Sequence, residues 1–347
     1  IYGTPLYVMS EKEIRDSCRE YIKIMSNLYE NFEVIYACKA FMCKEICRVI
    51  QEEGMSLDVV SGGELYTALK ALLTKYNARE PKTFDEILFA IKNDIGTIVI
   101  DSLHEAEIAS GIAAQEGKTV DVLVRIKPGV EAHTHSFIKT GQLDSKFGFA
   151  IDGGEAVDVI LKINQMKSLR LRGLHCHIGS QIVSFEPFVH TAKVMMDFIN
   201  VLKTDLNIEI CELNLGGGFG IKYLPEDTGM DYKRCLEKVS EAVHKKCKEF
   251  SLRCPKICIE PGRSIVGTSG ITLYTVGNIK EIKGVRIYIS VNGGMTDNPR
   301  YILYKSKYEV VNAGRMNDRK DKIVTIVGRC CESGDIIQEN VQICKTE

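Results

Sequence analysis

Short apolar runs alternate with longer amphipathic stretches through most of the chain. The short runs have the length of buried strands, whereas the longer stretches carry apolar residues at helical spacing. This alternation predicts repeated strand–helix units around a parallel sheet. The predicted strands are residues 34–37, 57–60, 97–100, 120–126, 171–175, 213–215 and 257–260. The predicted helices include residues 44–53, 63–73, 83–92 and 188–204.

Polar or small residues stand at the ends of most predicted strands. They are Lys39, Ser61, Asp101, His177, Gly216 and Glu260. In a (β/α)8 barrel, functional groups lie where the strands end, so the pattern favours a TIM-like α/β barrel. An open doubly wound sheet would show the same alternation. Only seven strands are clear, and the missing eighth falls at residues 73–81, where Lys75 and Glu80 make a poor buried strand.

The pattern changes after Arg263, where strand-like runs follow one another with no helices between them. These runs are residues 271–276, 285–291, 308–311, 323–327 and 335–337. They predict a second, β-rich domain of the sandwich or barrel type, and the strand-like residues 6–9 are able to pair with it. The expected organisation is a barrel at 16–262 and a β domain built from 1–15 and 263–347.

Composition narrows the class of protein. The chain has 347 residues, of which 26% are charged, with a formal net charge of −1, so no charge excess favours nucleic acid or an anionic membrane. No apolar run approaches the roughly 18 residues of a spanning helix, and no secretory leader is visible. The 13 cysteines form no Cys-x-x-Cys pair and no zinc-type spacing. We therefore expect a cytoplasmic enzyme with reduced thiols.

Two polar motifs end barrel strands, and each allows two interpretations. Lys39 follows an apolar run that favours a neutral amine able to form a Schiff base, although a surface lysine fits equally. His175 and His177 are two apart, which places both on one face of a strand. Such a pair suits a metal ion or a hydrogen-bonded pair in the core.

Three further motifs carry candidate chemistry. The run Gly216–Gly218 follows a strand and suits a phosphate or a tight turn; it is no dinucleotide fingerprint, because Ile221 stands where the third glycine belongs. Glu260, with Arg263 three residues on, is an acid at a buried strand end that needs a partner or a role. Cys331 lies beside acidic residues, in a segment that also reads as a β-turn.

In this order along the chain, the motifs resemble the fold-type-III pyridoxal-phosphate-dependent decarboxylases. These enzymes act on diaminopimelate, ornithine or arginine and are related to alanine racemase. The resemblance covers nearly the whole chain, from residues 2–8 through 58–65 and 140–148 to the segment around Cys331. It implies pyridoxal 5'-phosphate as the cofactor.

The family pattern implies a role for each motif at the cofactor. Lys39 would bind it covalently, His177 would stack on its ring, and Glu260 would pair with the pyridine nitrogen. A carboxylate there keeps the nitrogen protonated and the ring a strong electron sink, whereas the racemases have an arginine; Glu260 thus favours decarboxylation. The implied phosphate ligands are Ser180, Gly216, Gly217, Gly218, Gly262 and Arg263.

The same resemblance implies a substrate and an assembly. Cys331 would return a proton to the decarboxylated carbon, and because the family supplies this thiol from the partner subunit, a homodimer with shared active sites is expected. Arg263, Arg300 and Tyr304 would bind a distal carboxylate. Glu332 would bind a distal ammonium. This combination fits the diaminopimelate type, which converts meso-2,6-diaminopimelate to L-lysine and CO2 in the last step of lysine biosynthesis.

The chain departs from the family pattern in places, and alternatives stay open. Asn292 stands where the family usually has aspartate, and the family continues to a further strand with a tyrosine, so we expect the β domain to be incomplete. One alternative is a decarboxylase of the ornithine or arginine type. Another is a catalytically silent regulatory relative, although Lys39, Cys331 and Glu260 are all present. A third is a barrel enzyme that binds a metal through its two histidines.

Overall fold

The computed structural model describes residues 2–71, 76–79, 83–130 and 146–346, with only the backbone for 76–79. The chain forms two units, each described by itself. The barrel unit contains residues 11–221 and 229–267. The β unit contains residues 222–228 and the two terminal stretches, up to residue 10 and from residue 268. The segment 140–148 carries part of the family resemblance, and its residues 140–145 lie outside the described residues.

Eight parallel strands form a closed ring in the barrel unit, so the predicted TIM-like barrel is confirmed. The strands are Phe32–Ala37, Ser56–Val59, Tyr76–Arg79, Ile98–Ile100, Val120–Lys127, Leu169–His175, Glu212–Asn214 and Lys256–Ile259. The last strand pairs with the first, which closes the ring. The seven predicted strands lie within two residues of their expected bounds, and Tyr76–Arg79 is the eighth. The rest of the weak stretch at 73–81 lies outside the described residues.

Helices precede the first barrel strand, connect successive strands and follow the last one. Their bounds are Glu11–Leu28, Lys44–Glu52, Gly62–Lys70, Phe84–Lys92, Leu103–Gln115, Glu155–Gln165, Glu186–Leu206, Tyr232–Glu249 and the short Arg263–Val266. Several begin directly after a strand with a hydroxyl cap: Ser61 Oγ, for example, accepts from the Glu64 N–H at 3.3 Å. Thr83 and Glu86 form a reciprocal capping box. Within the described chain, no helix has both the length and the apolar character to cross a membrane.

The β unit contains two small sheets. Leu6–Met9 pairs antiparallel with Gly270–Leu273, as predicted for the N-terminal strand. A second sheet orders its four strands as Val276–Ile282, Arg286–Val291, Lys322–Val327 and Ile336–Ile343. Its buried core includes Ile289, Val324 and Ile337. The expected β-rich second domain is therefore present.

Three predictions for the β unit are wrong. The predicted strand at 271–276 is two strands in different sheets, Gly270–Leu273 and Val276–Ile282. Residues 308–311 are not a strand, because the backbone N–H of Tyr308 donates to Gln338 Oε1 at 3.1 Å instead of to a neighbouring strand. The strands are also not free of helices, since Arg300–Tyr304 forms a short helix directly after Pro299. Proline is well tolerated at the start of a helix, where its missing N–H has no intrahelical partner to lose.

Candidate active site

Lys39 lies at the mouth of the barrel. It is exposed in the short 3-10 turn Cys38–Ala40, which follows the first barrel strand. The loop after the last strand packs on this turn, with the Ala37 N–H donating to the Pro261 carbonyl at 3.1 Å. A Cβ on Gly262 would stand only 3.0 Å from the Ala37 Cβ. Glycine at position 262 therefore allows this close approach beside the lysine.

A partly buried acid, Glu64, accompanies Lys39. Its Oε2 accepts the Val60 N–H at 2.7 Å at the end of the second barrel strand. Burial raises the pKa of the Glu64 carboxyl, while the Val60 hydrogen bond and the charge of Lys39 act in the opposite direction. Glu64 is therefore an acid whose pKa depends on the charge of Lys39, a coupling that the sequence motifs did not indicate.

The glycine run lies directly against the histidine loop. The Gly217 N–H donates to His177 Nδ1 at 3.3 Å, so a neutral ring carries its proton on Nε2. Gly216 and Gly218 have φ values of +68° and +106°. A Cβ on Gly218 would lie 2.2 Å from the Gly179 carbonyl oxygen. Only glycine fits both the backbone conformation and the contact.

Further contacts hold these two loops together. Gln181 donates through Nε2 to the Ile221 carbonyl at 2.6 Å and accepts the Ile221 N–H at 3.2 Å. The Ile182 N–H donates to the Gly218 carbonyl at 3.0 Å. Ser180 Oγ accepts from Arg263 Nη2 at 2.9 Å, which brings two of the predicted phosphate ligands together. Gln181 was missed because its partner lies forty positions away in sequence.

Glu260 is a buried carboxylate, with its side chain 3% exposed. Its Oε1 accepts from Asn214 Nδ2 at 2.7 Å, and its Oε2 lies 3.5 Å from Nε2 of the fully buried His175. The Asn214 Oδ1 accepts the Gly216 N–H at 2.9 Å. One carboxylate oxygen thus accepts a hydrogen bond, and the other lies beside an imidazole nitrogen. No role was predicted for Asn214, although a polar residue at the end of a buried strand is an indication of a site residue.

The donor set at the barrel mouth fits pyridoxal phosphate. The Lys39 amine can bind the aldehyde group of the cofactor, and the buried Glu260 carboxylate can pair with its pyridine nitrogen. The Ser180 hydroxyl, the Arg263 guanidinium and glycine backbone amides suit a phosphate. Among the described side chains, no group of three His, Cys, Asp or Glu residues is arranged to hold a metal ion.

The predicted thiol lies in the β unit. Cys331 and Glu332 are exposed in a tight turn, in which the Asp335 N–H donates to the Glu332 carbonyl at 3.0 Å. The Asp335 carboxylate is buried and accepts the N–H groups of Cys330 at 2.7 Å and Met295 at 2.6 Å. Asp335 therefore holds the thiol turn against the loop at Met295, a function that the motif alone did not indicate.

The predicted substrate residues Arg300 and Tyr304 lie on the short helix of the β unit. The Arg300 guanidinium carbon is 5.3 Å from the ring centres of both Tyr223 and Tyr304. Its Nη2 donates to Ser306 Oγ at 3.3 Å. Aromatic faces on a guanidinium restrict its orientation, which prepares it for a planar anionic group.

Asn292 has a structural explanation within the β unit. Its Nδ2 donates to the Thr4 carbonyl at 2.7 Å and lies 2.8 Å from Thr4 Oγ1. Its Oδ1 accepts the Thr275 N–H at 3.0 Å. An aspartate at this position would lack the donor to the Thr4 carbonyl. The departure from the family pattern thus matches a local hydrogen-bond requirement of this chain.

The chain is similar to known proteins in both sequence and structure. The family model for the pyridoxal binding domain of pyridoxal-dependent decarboxylases matches residues 12–267. Diaminopimelate decarboxylase of Staphylococcus aureus strain COL is 44% identical over 345 residues, which are 99% of this chain and 80% of that protein. The enzyme of Bacillus subtilis strain 168 is 43% identical over 97% of this chain and 77% of its own length. Diaminopimelate decarboxylase from M. jannaschii, crystallised with L-lysine, has a TM-score of 0.89 at 34% identity, covering 100% of this chain and 80% of that one.

Proposed function

This chain belongs to the pyridoxal-dependent decarboxylases, and we propose that it converts meso-2,6-diaminopimelate to L-lysine and CO2, the last step of lysine biosynthesis. The observation that carries the assignment is the 44% identity to a diaminopimelate decarboxylase across 99% of the chain, which includes both units. The protein is a carboxy-lyase that uses pyridoxal phosphate and acts on an amino acid.

We propose that the barrel mouth holds the cofactor at three points, which are Lys39, the phosphate site and the contacts to the cofactor ring. When bound, pyridoxal phosphate supplies a ring that accepts the electrons released as CO2 leaves. Lys39 provides the amine that attaches it, at the turn supported by Gly262. Ser180, Arg263 and the backbone of the run Gly216–Gly218 would bind its phosphate. The hydrogen bond between Ser180 and Arg263 supports this placement.

Glu260 and His177 orient and tune the cofactor ring in this proposal. Glu260 would hold a proton on the pyridine nitrogen, and its buried position would strengthen that interaction because little water competes. His177 would stack on the cofactor ring and exclude water from one face. The hydrogen bond from Gly217 to its Nδ1 supports a single ring orientation.

Cys331 is the proposed proton donor to the carbon that has lost CO2. Its exposure in the β unit is compatible with delivery into the active site of a partner subunit. We therefore propose a homodimer whose active sites each combine Lys39 of one subunit with Cys331 of the other. All 13 cysteines are free, which supports a reducing, cytoplasmic location.

The far end of the substrate decides between related decarboxylases. Diaminopimelate ends in a second amino-acid group, so its distal carboxylate needs a cation and its distal ammonium an anion. Arg300, with Tyr304 beside it, and Arg263 suit the carboxylate, while Glu332 suits the ammonium. Ornithine has no distal carboxylate and would leave the arginines without a matching group. This difference favours diaminopimelate over the ornithine or arginine type.

A substrate panel tests the proposed reaction. The protein with pyridoxal phosphate is incubated with meso-diaminopimelate, ornithine or arginine, and CO2 and product amines are measured. We expect lysine from diaminopimelate alone, none from Lys39→Ala, and a rise in KM for Arg300→Ala larger than for the exposed control Arg319→Ala. Turnover of ornithine or arginine would support the alternative type. A cofactor-loaded protein that turns over none of the three would support the silent relative.

Complementation tests the shared active site. Lys39→Ala and Cys331→Ala homodimers are each expected to have little activity. After subunit exchange, half of the dimers are mixed and each contains one intact site, so about one quarter of wild-type activity should return. No recovery, despite exchange confirmed by mass spectrometry, would mean that each subunit completes its own site.

A further inference from the structure

One buried side chain joins the two ends of the proposed cofactor site. Asn214 is the last residue of the strand Glu212–Asn214 and is 2% exposed. Its amide nitrogen donates to Glu260 Oε1 at 2.7 Å. Its amide oxygen accepts the Gly216 N–H at 2.9 Å. The same amide therefore contacts the carboxylate at the ring-nitrogen end and the loop at the phosphate end.

Only a side-chain amide of this length meets both requirements. An amide donates and accepts at once, whereas an aspartate at position 214 would accept from Gly216 but could not donate to Glu260. Alanine at position 214 would do neither. The other Glu260 oxygen lies 3.5 Å from His175 Nε2, so this buried carboxylate is bounded by named groups on both sides. With its carboxylate buried, Glu260 has little water to replace a lost partner.

The backbone around Asn214 ties the same elements together. The Glu260 N–H donates to the Gly216 carbonyl at 2.8 Å, and a Cβ on Gly217 would lie 2.0 Å from the Glu260 carbonyl oxygen. Gly216 and Gly217, which follow the strand end at Asn214, therefore contact Glu260 through main-chain atoms. With the main chains in contact, the Asn214 amide holds the Glu260 carboxylate at one position relative to the Gly216–Gly218 loop.

We propose that Asn214 is a positioning residue that sets the spacing between the Glu260 carboxylate and the Gly216–Gly218 loop. The inference rests on the proposed function, because it takes these two groups as the ring-nitrogen and phosphate contacts of the cofactor. Pyridoxal phosphate has a rigid ring and a short phosphate arm, so both contacts are satisfied together only at one spacing. Displacement by about 0.5 Å is enough to weaken such a preorganised site.

Cofactor affinity of the apoprotein provides the test. Pyridoxal phosphate is titrated by absorbance into wild type, Asn214→Ala and Asn214→Asp, with thermal unfolding of each apoprotein measured in parallel. Both substitutions are expected to raise the Kd about tenfold or more, the usual worth of a hydrogen bond to a charged group. Asn93→Ala is the matched control, since Asn93 Nδ2 also makes a 2.7 Å hydrogen bond, to the Phe89 carbonyl at a helix end. Its Kd should stay at the wild-type value.

A second background separates positioning from a merely structural role. If Asn214 acts through the carboxylate, Asn214→Ala should change the Kd much less in a Glu260→Ala protein than in wild type. The same fold-change in both backgrounds, or wild-type affinity in a folded Asn214→Asp protein, would overturn the inference. Wild-type protein that does not bind pyridoxal phosphate would instead reject the proposed function itself, and the inference with it.

Discussion

Replacing Asp335 with alanine is expected to release the turn that carries the proposed proton donor. The Asp335 residue is 3% exposed, and its two carboxylate oxygens accept separate backbone N–H groups, from Met295 at 2.6 Å and Cys330 at 2.7 Å. A Cβ on Gly328 would lie 2.2 Å from a carboxylate oxygen, so the surrounding chain closely encloses this group. Alanine would leave both donors without an acceptor.

The expected magnitude follows from these two bonds. An unsatisfied buried donor costs roughly 1–3 kcal/mol, so the substitution should destabilise the turn by about 2–4 kcal/mol after partial rescue by water. Shared between the two amides, this is about 1–2 kcal/mol each, and because 1.4 kcal/mol is about tenfold, opening at each amide should increase roughly 5- to 30-fold.

Amide hydrogen exchange followed by mass spectrometry measures this opening directly. Peptides that contain Met295 or Cys330 should exchange faster in Asp335→Ala, whereas the exposed Asp321→Ala control should match wild type. Decarboxylation should fall while cofactor affinity stays unchanged, because the proposed cofactor contacts lie in the barrel unit. Unchanged exchange at Met295 and Cys330 would refute the reasoning, since it would mean that the carboxylate does not hold the turn.

Four further substitutions test the structure at other positions. Gly217→Ala places a Cβ 2.0 Å from the Glu260 carbonyl oxygen, so it should lower the free energy of unfolding by at least about 2 kcal/mol and weaken cofactor binding. Gly111→Ala has open space around its Cβ and should instead raise the free energy of unfolding by about 0.5–1 kcal/mol. Denaturant unfolding measures both changes. Hydrogen bonds from two arginines lower the pKa of Glu53, so Glu53→Gln should lower the free energy of unfolding by about 0.5–1 kcal/mol. This stability difference is present above the ordinary glutamate pKa of about 4.3 and is lost as the pH falls through the lowered pKa. Unfolding midpoints of both proteins, measured over a pH series, check this prediction. Asn292→Asp removes the donor to the Thr4 carbonyl, so limited proteolysis should cut the N-terminal segment faster. Cleavage at the wild-type rate would mean that this hydrogen bond does not hold the segment.

Periodicity and motif order predicted the barrel and much of the proposed site. Each barrel strand is a short apolar run beside an amphipathic helix, so local burial is visible in the chain itself, and the strand 169–175 was expected within two residues of its bounds. Periodicity was less informative in the β unit, where the N–H of Tyr308 bonds to a side chain and residues 308–311 form no strand. The resemblance to a decarboxylase family, carried by Lys39, Gly216–Gly218 and Glu260, supplied the chemistry.

The sequence by itself determined which residue types stand at the strand ends, because strand length, helix spacing and glycine runs are local properties. Only the tertiary structure decided which of them touch. Asn214 reaches Glu260 across 46 positions, and Asp335 reaches Met295 across 40. Such contacts depend on ring closure and loop packing, which bring distant backbone segments within a hydrogen-bond length. No spacing rule along the chain encodes that distance.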